Sequence, residues 1–254
     1  MPMSFLSAAG YFSALQDVLG KVSTSQAPLV DKAAALIADA VEAGGVLQAF
    51  GSGHSEAFAL ELTGRAGGLV AANRIELRDL VLLGGAEPGV LSDPLLERDP
   101  GVASRLYELA APHPRDVFVI ASNSGVNGSI VELAALVKER GHPLIAVTSA
   151  EHSGRMSSRH PSGLRLGDHA DIVLDNGAPY GDAILPLRDG GRVCGVSSIT
   201  GALLAQQIVA EVARRLEESG TRPPVYLSAN VHGGDEHNRR LEERYDGRIR
   251  RTTR

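Results

Sequence analysis

The chain has 254 residues, of which 43% are hydrophobic and 22% charged, a composition that is typical of a folded globular domain and excludes a disordered chain. The formal net charge of −5 argues against a dedicated nucleic-acid-binding protein, and the arginine-rich C-terminal segment is interpreted as a solvated helix with a frayed tail. A single cysteine, Cys194, excludes an intramolecular disulfide and fits a reducing compartment. The sequence contains neither a signal peptide nor a membrane-spanning apolar run, and we therefore expect a soluble cytoplasmic protein.

The first 43 residues predict helices, because their apolar side chains recur every three or four positions from Met3 to about Ala43. Pro28 is typical of a helix start, and a second helix is expected over Leu29 to Val41, ending at two glycines. We therefore expect residues 1–43 to form an N-terminal helical extension. Residues 44–254 are then a single domain that forms one structural unit with it.

Beyond this point the pattern becomes one of alternating short apolar runs and helical segments. The apolar runs, which predict strands buried on both faces, are 46–50, 116–121, 144–147 and 171–174. Helices are predicted at 55–65, 129–140 and 199–216, a further strand lies within 67–83, and 225–229 is a last short strand or an extended segment. This alternation predicts an α/β fold with a parallel sheet.

Ligands of such sheets bind where the strands end, so the residues that follow the strands are the candidate site. The first loop, residues 51–55, consists of Gly51, Ser52, Gly53, His54 and Ser55. Its small residues let backbone amides approach an anion at a helix N-terminus, and Ser55 is a candidate N-cap. A turn that needs glycine for its geometry alone is the alternative interpretation.

The second loop, residues 122–127, offers Ser122, Asn123, Ser124 and Asn127 for hydrogen bonding, and Gly125 lets the chain turn. It lacks the lysine of a P-loop, which argues against a triphosphate and favours a single phosphate group. Ordinary N-capping of the next helix is the alternative. Ser149 follows a third strand, and asparagine at 176 follows a fourth. Hydroxyl-bearing loops at three strand ends together favour phosphate binding.

The segments G-S-G-H-S, S-N-S-G-V-N and A-V-T-S, in this order, resemble the sugar isomerase (SIS) phosphosugar-binding domain family, and in particular its stand-alone bacterial members of about this length. Further segments that fit this group are E-L-T-G-R-A-G-G at 61–68, H-P-S-G at 160–163, D-N-G-A-P-Y-G-D at 175–182 and N-V-H-G-G-D-E-H-N at 230–238. The resemblance implies a flavodoxin-like three-layer sandwich with a five-stranded parallel sheet. It also implies a homodimer or homotetramer with sites near the subunit contacts.

The same resemblance implies roles for individual residues. Ser52, Ser122, Ser124 and Asn127 would hold the sugar phosphate, with Ser149 nearby. The more distantly similar phosphoheptose isomerases carry a further acidic residue on the helix after the first loop. In this chain an arginine, Arg65, stands in its place, which speaks against that particular reaction.

An aldose–ketose isomerase needs a base beside the substrate carbon and an acid beside the carbonyl oxygen. Glu61, on the helix after the first loop, is the candidate base. His54, two helical turns before it and able to share one face with it, is a further catalytic candidate. An i,i+4 ion pair between Glu61 and Arg65 is the alternative interpretation. His232 is the candidate acid, reaching the site of a neighbouring subunit, although a polar surface loop or a helix start also explains its segment.

Three other segments have weaker interpretations. The alternating residues 74–79 indicate a strand with a solvated polar face, although Glu76 is also a candidate contact to a second subunit. Residues 149–167 are long and polar enough for a lid or an interface loop. His232 and His237, with a neighbouring acidic residue, form a possible metal pair, but their spacing matches no zinc signature, and no metal is assigned.

The sequence therefore predicts an enzyme that binds a phosphorylated sugar and isomerises it through a cis-enediol, with Glu61 as base and His232 as acid. No cofactor is implied, and neither nucleic acid nor a membrane is expected as a partner. A non-catalytic sugar-phosphate sensor that acts through a partner protein is one alternative. A phosphosugar etherase or lyase, which uses the same proton abstraction, is another.

Overall fold

The computed structural model describes residues 6–250, and its first element is one long helix. Helix α1 (Ala8–Glu42) has 35 residues and is capped by Ser7, whose Oγ accepts a hydrogen bond of 3.0 Å from the Gly10 amide. The prediction that a second helix begins after Pro28 is wrong, because Pro28 lies inside α1. Val22 and Val30 are both buried in the same core, and this packing on either side of the proline outweighs the missing backbone hydrogen bond.

The central sheet confirms the predicted five-stranded parallel α/β architecture. Its strands are β1 (Leu47–Gly51), β2 (Ala72–Ile75), β3 (Val117–Ala121), β4 (Leu144–Thr148) and β5 (Ile172–Asp175). The order is β2-β1-β3-β4-β5, every neighbouring pair is parallel, and this is the flavodoxin-like order. The chain order reverses between β1 and β3, so the carboxyl ends of these two strands mark the switch point at which such sheets bind ligands.

Helices cover both faces of the sheet and complete a three-layer sandwich. The helices after α1 are α2 (Glu56–Leu62), α3 (Asp79–Leu82), α4 (Val102–Ala110), α5 (Gly128–Glu139), α6 (Ala150–Arg155), α7 (Leu166–His169), α8 (Ser197–Glu218) and α9 (Gly234–Glu242). One core lies between the sheet and α1, α2 and α8, and includes Ile37, Phe58 and Leu204. The other lies between the sheet and α4 and α5, and includes Leu106 and Ile130.

Several elements were not predicted. They are α3, α4, α6, α7 and an antiparallel hairpin of β6 (Ala183–Pro186) and β7 (Arg192–Gly195). The predicted element at 225–229 is an extended segment with an isolated bridge between Val225 and Leu69. Within residues 6–250 no helix combines the length and the apolar character needed to cross a bilayer.

The C-terminal arginines divide into two groups. Arg240 pairs with Glu236 on α9, as expected of a solvated helix. Arg248 instead pairs with Asp116, whose side chain is fully buried, and Arg250 donates its backbone N–H to Asn73 Oδ1 at 3.1 Å. The prediction of a frayed tail is therefore wrong up to residue 250, because Asp116 is a buried charge that needs a partner. Arg251 and Arg254 lie outside the described residues.

Candidate functional site

A small cleft opens at the carboxyl edge of the sheet, over the ends of β1 and β3. Both predicted loops reach it, together with the N-terminus of α8. Its lining consists of His54, Ser55, Phe58, Ala121, Ser122, Asn123, Val147, Asn176, Ser197, Ser198 and Gly201. The polar groups that line it are hydroxyls, amides and one imidazole, which suits a polyhydroxylated ligand better than an apolar one.

The first loop leaves β1 at Gly51 and forms a single 3-10 turn, Gly53–Ser55, before α2 begins. Ser55 makes no side-chain cap at α2, so the predicted N-cap is wrong. The reason is geometric: Ser55 is already helical, with φ −72° and ψ −10°. Ser52 is 8% exposed, and its hydroxyl has no hydrogen-bond partner among residues 6–250.

The second loop is shaped by its own hydroxyl and by one glycine. Ser122 Oγ accepts a hydrogen bond of 3.1 Å from the Gly125 amide. Gly125 has φ +65°, and a Cβ atom there would lie 3.3 Å from Ser153 Oγ and from Thr148 Oγ1, so both conformation and space favour glycine. The half-exposed Ser124 hydroxyl finds no hydrogen-bond partner in the described part of the chain and is available to a ligand.

Two predicted phosphate contacts already have partners within the protein. Asn127 donates from Nδ2 to Glu97 Oε1 at 3.0 Å and accepts at Oδ1 from Arg159 Nη1 at 2.9 Å. Ser149 is fully buried, and its Oγ donates to the Ala178 carbonyl at 2.6 Å. Neither Asn127 nor Ser149 lines the cleft, and Ser52 and Ser124 also lie outside its lining.

The sequence analysis did not predict that the N-terminus of α8 lines the cleft. Ser197 and Ser198 line it at the N-terminus of this 22-residue helix, and Asp182 Oδ1 accepts a hydrogen bond of 2.8 Å from the Ser197 amide. The adjacent serines at the start of a helix were a usable signal. Asn176 also lines the cleft and donates from Nδ2 to Asn123 Oδ1 at 3.0 Å, which joins the ends of β5 and β3.

The proton-transfer candidates lie apart. His54 is exposed and lines the cleft. Glu61 does not line the cleft. It forms the ion pair with Arg65 that was the alternative interpretation, and its Oε1 accepts a hydrogen bond of 2.7 Å from Gln206 on α8. His232 is exposed outside the cleft lining. The neighbouring His237 donates from Nε2 to the Val225 carbonyl at 3.1 Å, and among residues 6–250 no three metal-ligating side chains converge.

A cluster of charges lies at the ends of β2 and β1, beside the first loop. Arg74 and Glu76 are buried, and Arg74 Nε is 2.9 Å from Glu76 Oε1, so the predicted solvated face of this strand is wrong. The prediction fails because the two opposite charges form an ion pair, which allows both side chains to be buried away from water. The half-buried Glu56 has a raised pKa, chiefly through burial and further through the charges of Glu76 and Glu97.

The polar segment 149–167 contains the short helix α6 and then a loop that packs on the second loop. The Arg159 amide donates to the Val126 carbonyl at 3.0 Å, and His160 Nε2 lies 2.6 Å from Glu132 Oε2 on α5. At its other end His152 stacks on Tyr180, with ring centroids 5.1 Å apart. These contacts hold the segment against the second loop, α5 and Tyr180, and its role as a lid or an interface loop stays a prediction.

Comparison with known proteins identifies the family. The sequence model of the SIS domain matches residues 10–149. The chain belongs to the SIS domain family. It is 39% identical over 243 residues to the UPF0309 protein lmo0025 of Listeria monocytogenes, covering 94% of this chain and 97% of that protein. It is 36% identical over 240 residues to the UPF0309 protein GK1441 of Geobacillus kaustophilus, covering 94% of each chain.

Solved structures confirm the SIS fold. The phosphoheptose isomerase GmhA from Neisseria gonorrhoeae is 20% identical, with a TM-score of 0.56, and covers 81% of this chain and 96% of its own. A putative phosphosugar isomerase involved in capsule formation from Bacteroides fragilis is 18% identical, with a TM-score of 0.55, and covers 82% of this chain and 89% of its own. Because both structures are at most 20% identical to this chain, their likeness shows a shared fold and nothing more.

Proposed function

We propose that this SIS-domain protein binds a phosphorylated sugar at the carboxyl edge of its sheet and isomerises it between aldose and ketose. The observation that carries the proposal is the meeting of the first and second loops at the switch point, each bearing a hydroxyl that has no hydrogen-bond partner among residues 6–250. These hydroxyls belong to Ser52 and Ser124. Two solved structures with the same fold, a phosphoheptose isomerase and a putative phosphosugar isomerase, support this class of substrate.

The phosphate group is proposed to lie at the second loop. The helix dipole of α5 favours an anion at this loop, and Ser124 adds a hydroxyl donor. Arg159 brings a guanidinium to the same loop through Asn127. The sugar then extends toward the first loop and the cleft, whose hydroxyls and amides suit its hydroxyl groups. Binding at the phosphate orients the reacting carbons against fixed protein groups.

The proton-transfer groups are the finer part of the proposal. His54 lines the cleft and is proposed as the acid on the carbonyl oxygen. Glu61 as base and His232 as acid stay predictions. Glu61 would have to leave Arg65 and Gln206, and His232 would act on the site of a neighbouring copy in a homodimer or homotetramer.

The test is proton and phosphorus NMR in D₂O with a panel of hexose, heptose, pentose and amino-sugar phosphates. An isomerase introduces deuterium at the carbon beside the carbonyl and produces a new phosphosugar signal. Line broadening without exchange would instead support the sensor function. Appearance of a free sugar-phosphate fragment and a released acid or alcohol would indicate an etherase. If no member of the panel showed exchange, a new signal or line broadening, phosphosugar binding itself would be contradicted.

A further inference from the structure

The connection between β2 and β3 brings one carboxylate to both loops. Glu97, in the single turn Leu96–Arg98, is half-buried. Its Oε1 accepts the hydrogen bond of 3.0 Å from Asn127 in the second loop. A Cβ atom built on Gly53 in the first loop would lie 3.4 Å from its Oε2. The Glu97 carboxylate therefore binds the second loop and lies beside the first, at a position outside the lining of the cleft.

The backbone of this turn is held firmly on the start of α5. Ser129 Oγ donates a hydrogen bond of 2.6 Å to the Glu97 carbonyl, and Leu96 is buried in the core beneath. A Cβ atom at Gly128 would overlap with the Arg98 carbonyl, so the turn packs directly against this glycine. A group that acts on a bound substrate needs such a fixed position.

The two carboxylate oxygens of Glu97 differ in their surroundings. Oε1 is bound by Asn127, whose own Oδ1 is bound by Arg159, so a chain of hydrogen bonds orients the group. Oε2 receives no hydrogen bond from any residue between 6 and 250. An oriented carboxylate with one free oxygen has what a general base requires: a fixed direction and an acceptor that is not yet used.

We propose that Glu97 is the catalytic base of the isomerisation, and that Asn127 and Arg159 position it. This inference rests on the proposed function. The carbon–hydrogen bond beside the carbonyl breaks, its proton moves to Glu97 Oε2, and its electron pair forms the carbon–carbon double bond of the enediol. The carbonyl oxygen takes a proton from an acid, for which His54 is the group in the cleft. Glu97 then gives its proton to the former carbonyl carbon, and the other enediol hydroxyl loses its proton to the deprotonated acid as it becomes the new carbonyl.

The experiment follows deuterium exchange into the same panel of sugar phosphates by wild type, Glu97→Gln and Glu97→Asp. Glutamine keeps an oxygen for Asn127 but cannot take the proton, so we expect exchange to fall by about 100-fold or more, mainly in kcat. A calorimetric titration with inorganic phosphate should show affinity unchanged or increased, because a negative charge is removed beside the site. Thermal unfolding of each variant verifies that it is folded.

The matched control is Glu87→Gln, which removes a carboxylate from the exposed part of the same connection and should exchange like wild type. Glu61→Gln tests the competing base. Exchange that survives in folded Glu97→Gln but is lost in Glu61→Gln would overturn this inference and leave the proposed function standing. A wild type that exchanges no member of the panel would contradict the isomerase function, and with it any role of Glu97 as base.

Discussion

Ser149 Oγ donates a hydrogen bond of 2.6 Å to the Ala178 carbonyl, tying the end of β4 to the segment after β5. The same oxygen accepts from the His152 amide at 2.9 Å at the start of α6, and the residue is fully buried. We expect Ser149→Ala to lower the free energy of unfolding by about 1–3 kcal/mol, because it leaves a buried carbonyl unpaired. Phosphosugar affinity should hardly change. Urea denaturation and calorimetry check this, and lost affinity at unchanged stability would contradict it.

Ser124→Ala should show the opposite behaviour. Its half-exposed hydroxyl has no partner among the described residues, so the free energy of unfolding should stay the same. A hydrogen bond to a charged group contributes about 1.5–3 kcal/mol, so affinity for a sugar phosphate should fall by about tenfold or more. Ser104→Ala, at an exposed position on α4, is the control. Equal affinities of the two variants would show that the Ser124 hydroxyl does not bind the phosphate.

His142 should make the stability depend on pH. It is buried, donates from Nδ1 to the Asp116 carbonyl at 3.0 Å, and lies 2.8 Å from the Tyr107 hydroxyl. Burial lowers its pKa below the unfolded value, which is about 6.5. As the pH falls through that value, the unfolded chain takes up the proton first, so stability is lost until the folded pKa is reached.

Urea denaturation at pH 7.5 and pH 5 measures this loss for wild type and His142→Gln. The comparison cancels the pH-dependent contributions of groups that both proteins share. Among these are Glu56 and Asp79, whose raised pKa values favour the folded state as the pH falls. We expect the stability advantage of wild type over the variant to shrink on acidification. An advantage that does not change with pH would refute the role of His142.

Arg248→Gln should destabilise the fold strongly. The Asp116 carboxylate is fully buried, and besides Arg248 it binds the Val46 amide at 2.8 Å and Gln48 Nε2 at 2.9 Å. Removing the only arginine that pairs with it in the described structure leaves a buried charge, at a cost of about 3 kcal/mol. Arg244→Gln, in the same segment but exposed, is the control. A similar small effect of both substitutions on urea denaturation would contradict this.

The sheet could be predicted because buried parallel strands are short continuous apolar runs. Residues 144–147, for example, were predicted as a strand, and the structure extends it by one residue to Thr148. The helix break at Pro28 was predicted wrongly because local preference was weighed without the packing of α1 on α8. The hairpin of β6 and β7 was missed since its strands are only half-covered and show no continuous apolar pattern.

Site residues that directly follow a strand could be predicted from the sequence. Those in long connections between strands could not. His54, Ser122 and Asn123 all reach the cleft, as the end-of-strand rule implies. Glu97 lies in a stretch of turns between β2 and β3, without periodicity, and its approach to Asn127 spans 30 positions of the chain. Ser197 reaches the cleft only because α8 packs beside α2, a tertiary contact that sequence patterns do not report.

The proposed function depends most directly on the binding of a phosphate ester at the two loops. The measurement is a calorimetric titration of wild type with each sugar phosphate of the panel and, in parallel, with the same sugar lacking its phosphate. We expect saturable binding of at least one sugar phosphate, loss of that binding when the sugar lacks its phosphate, and weaker binding in Ser124→Ala. Equal binding of both forms, or binding that Ser124→Ala leaves unchanged, would contradict it.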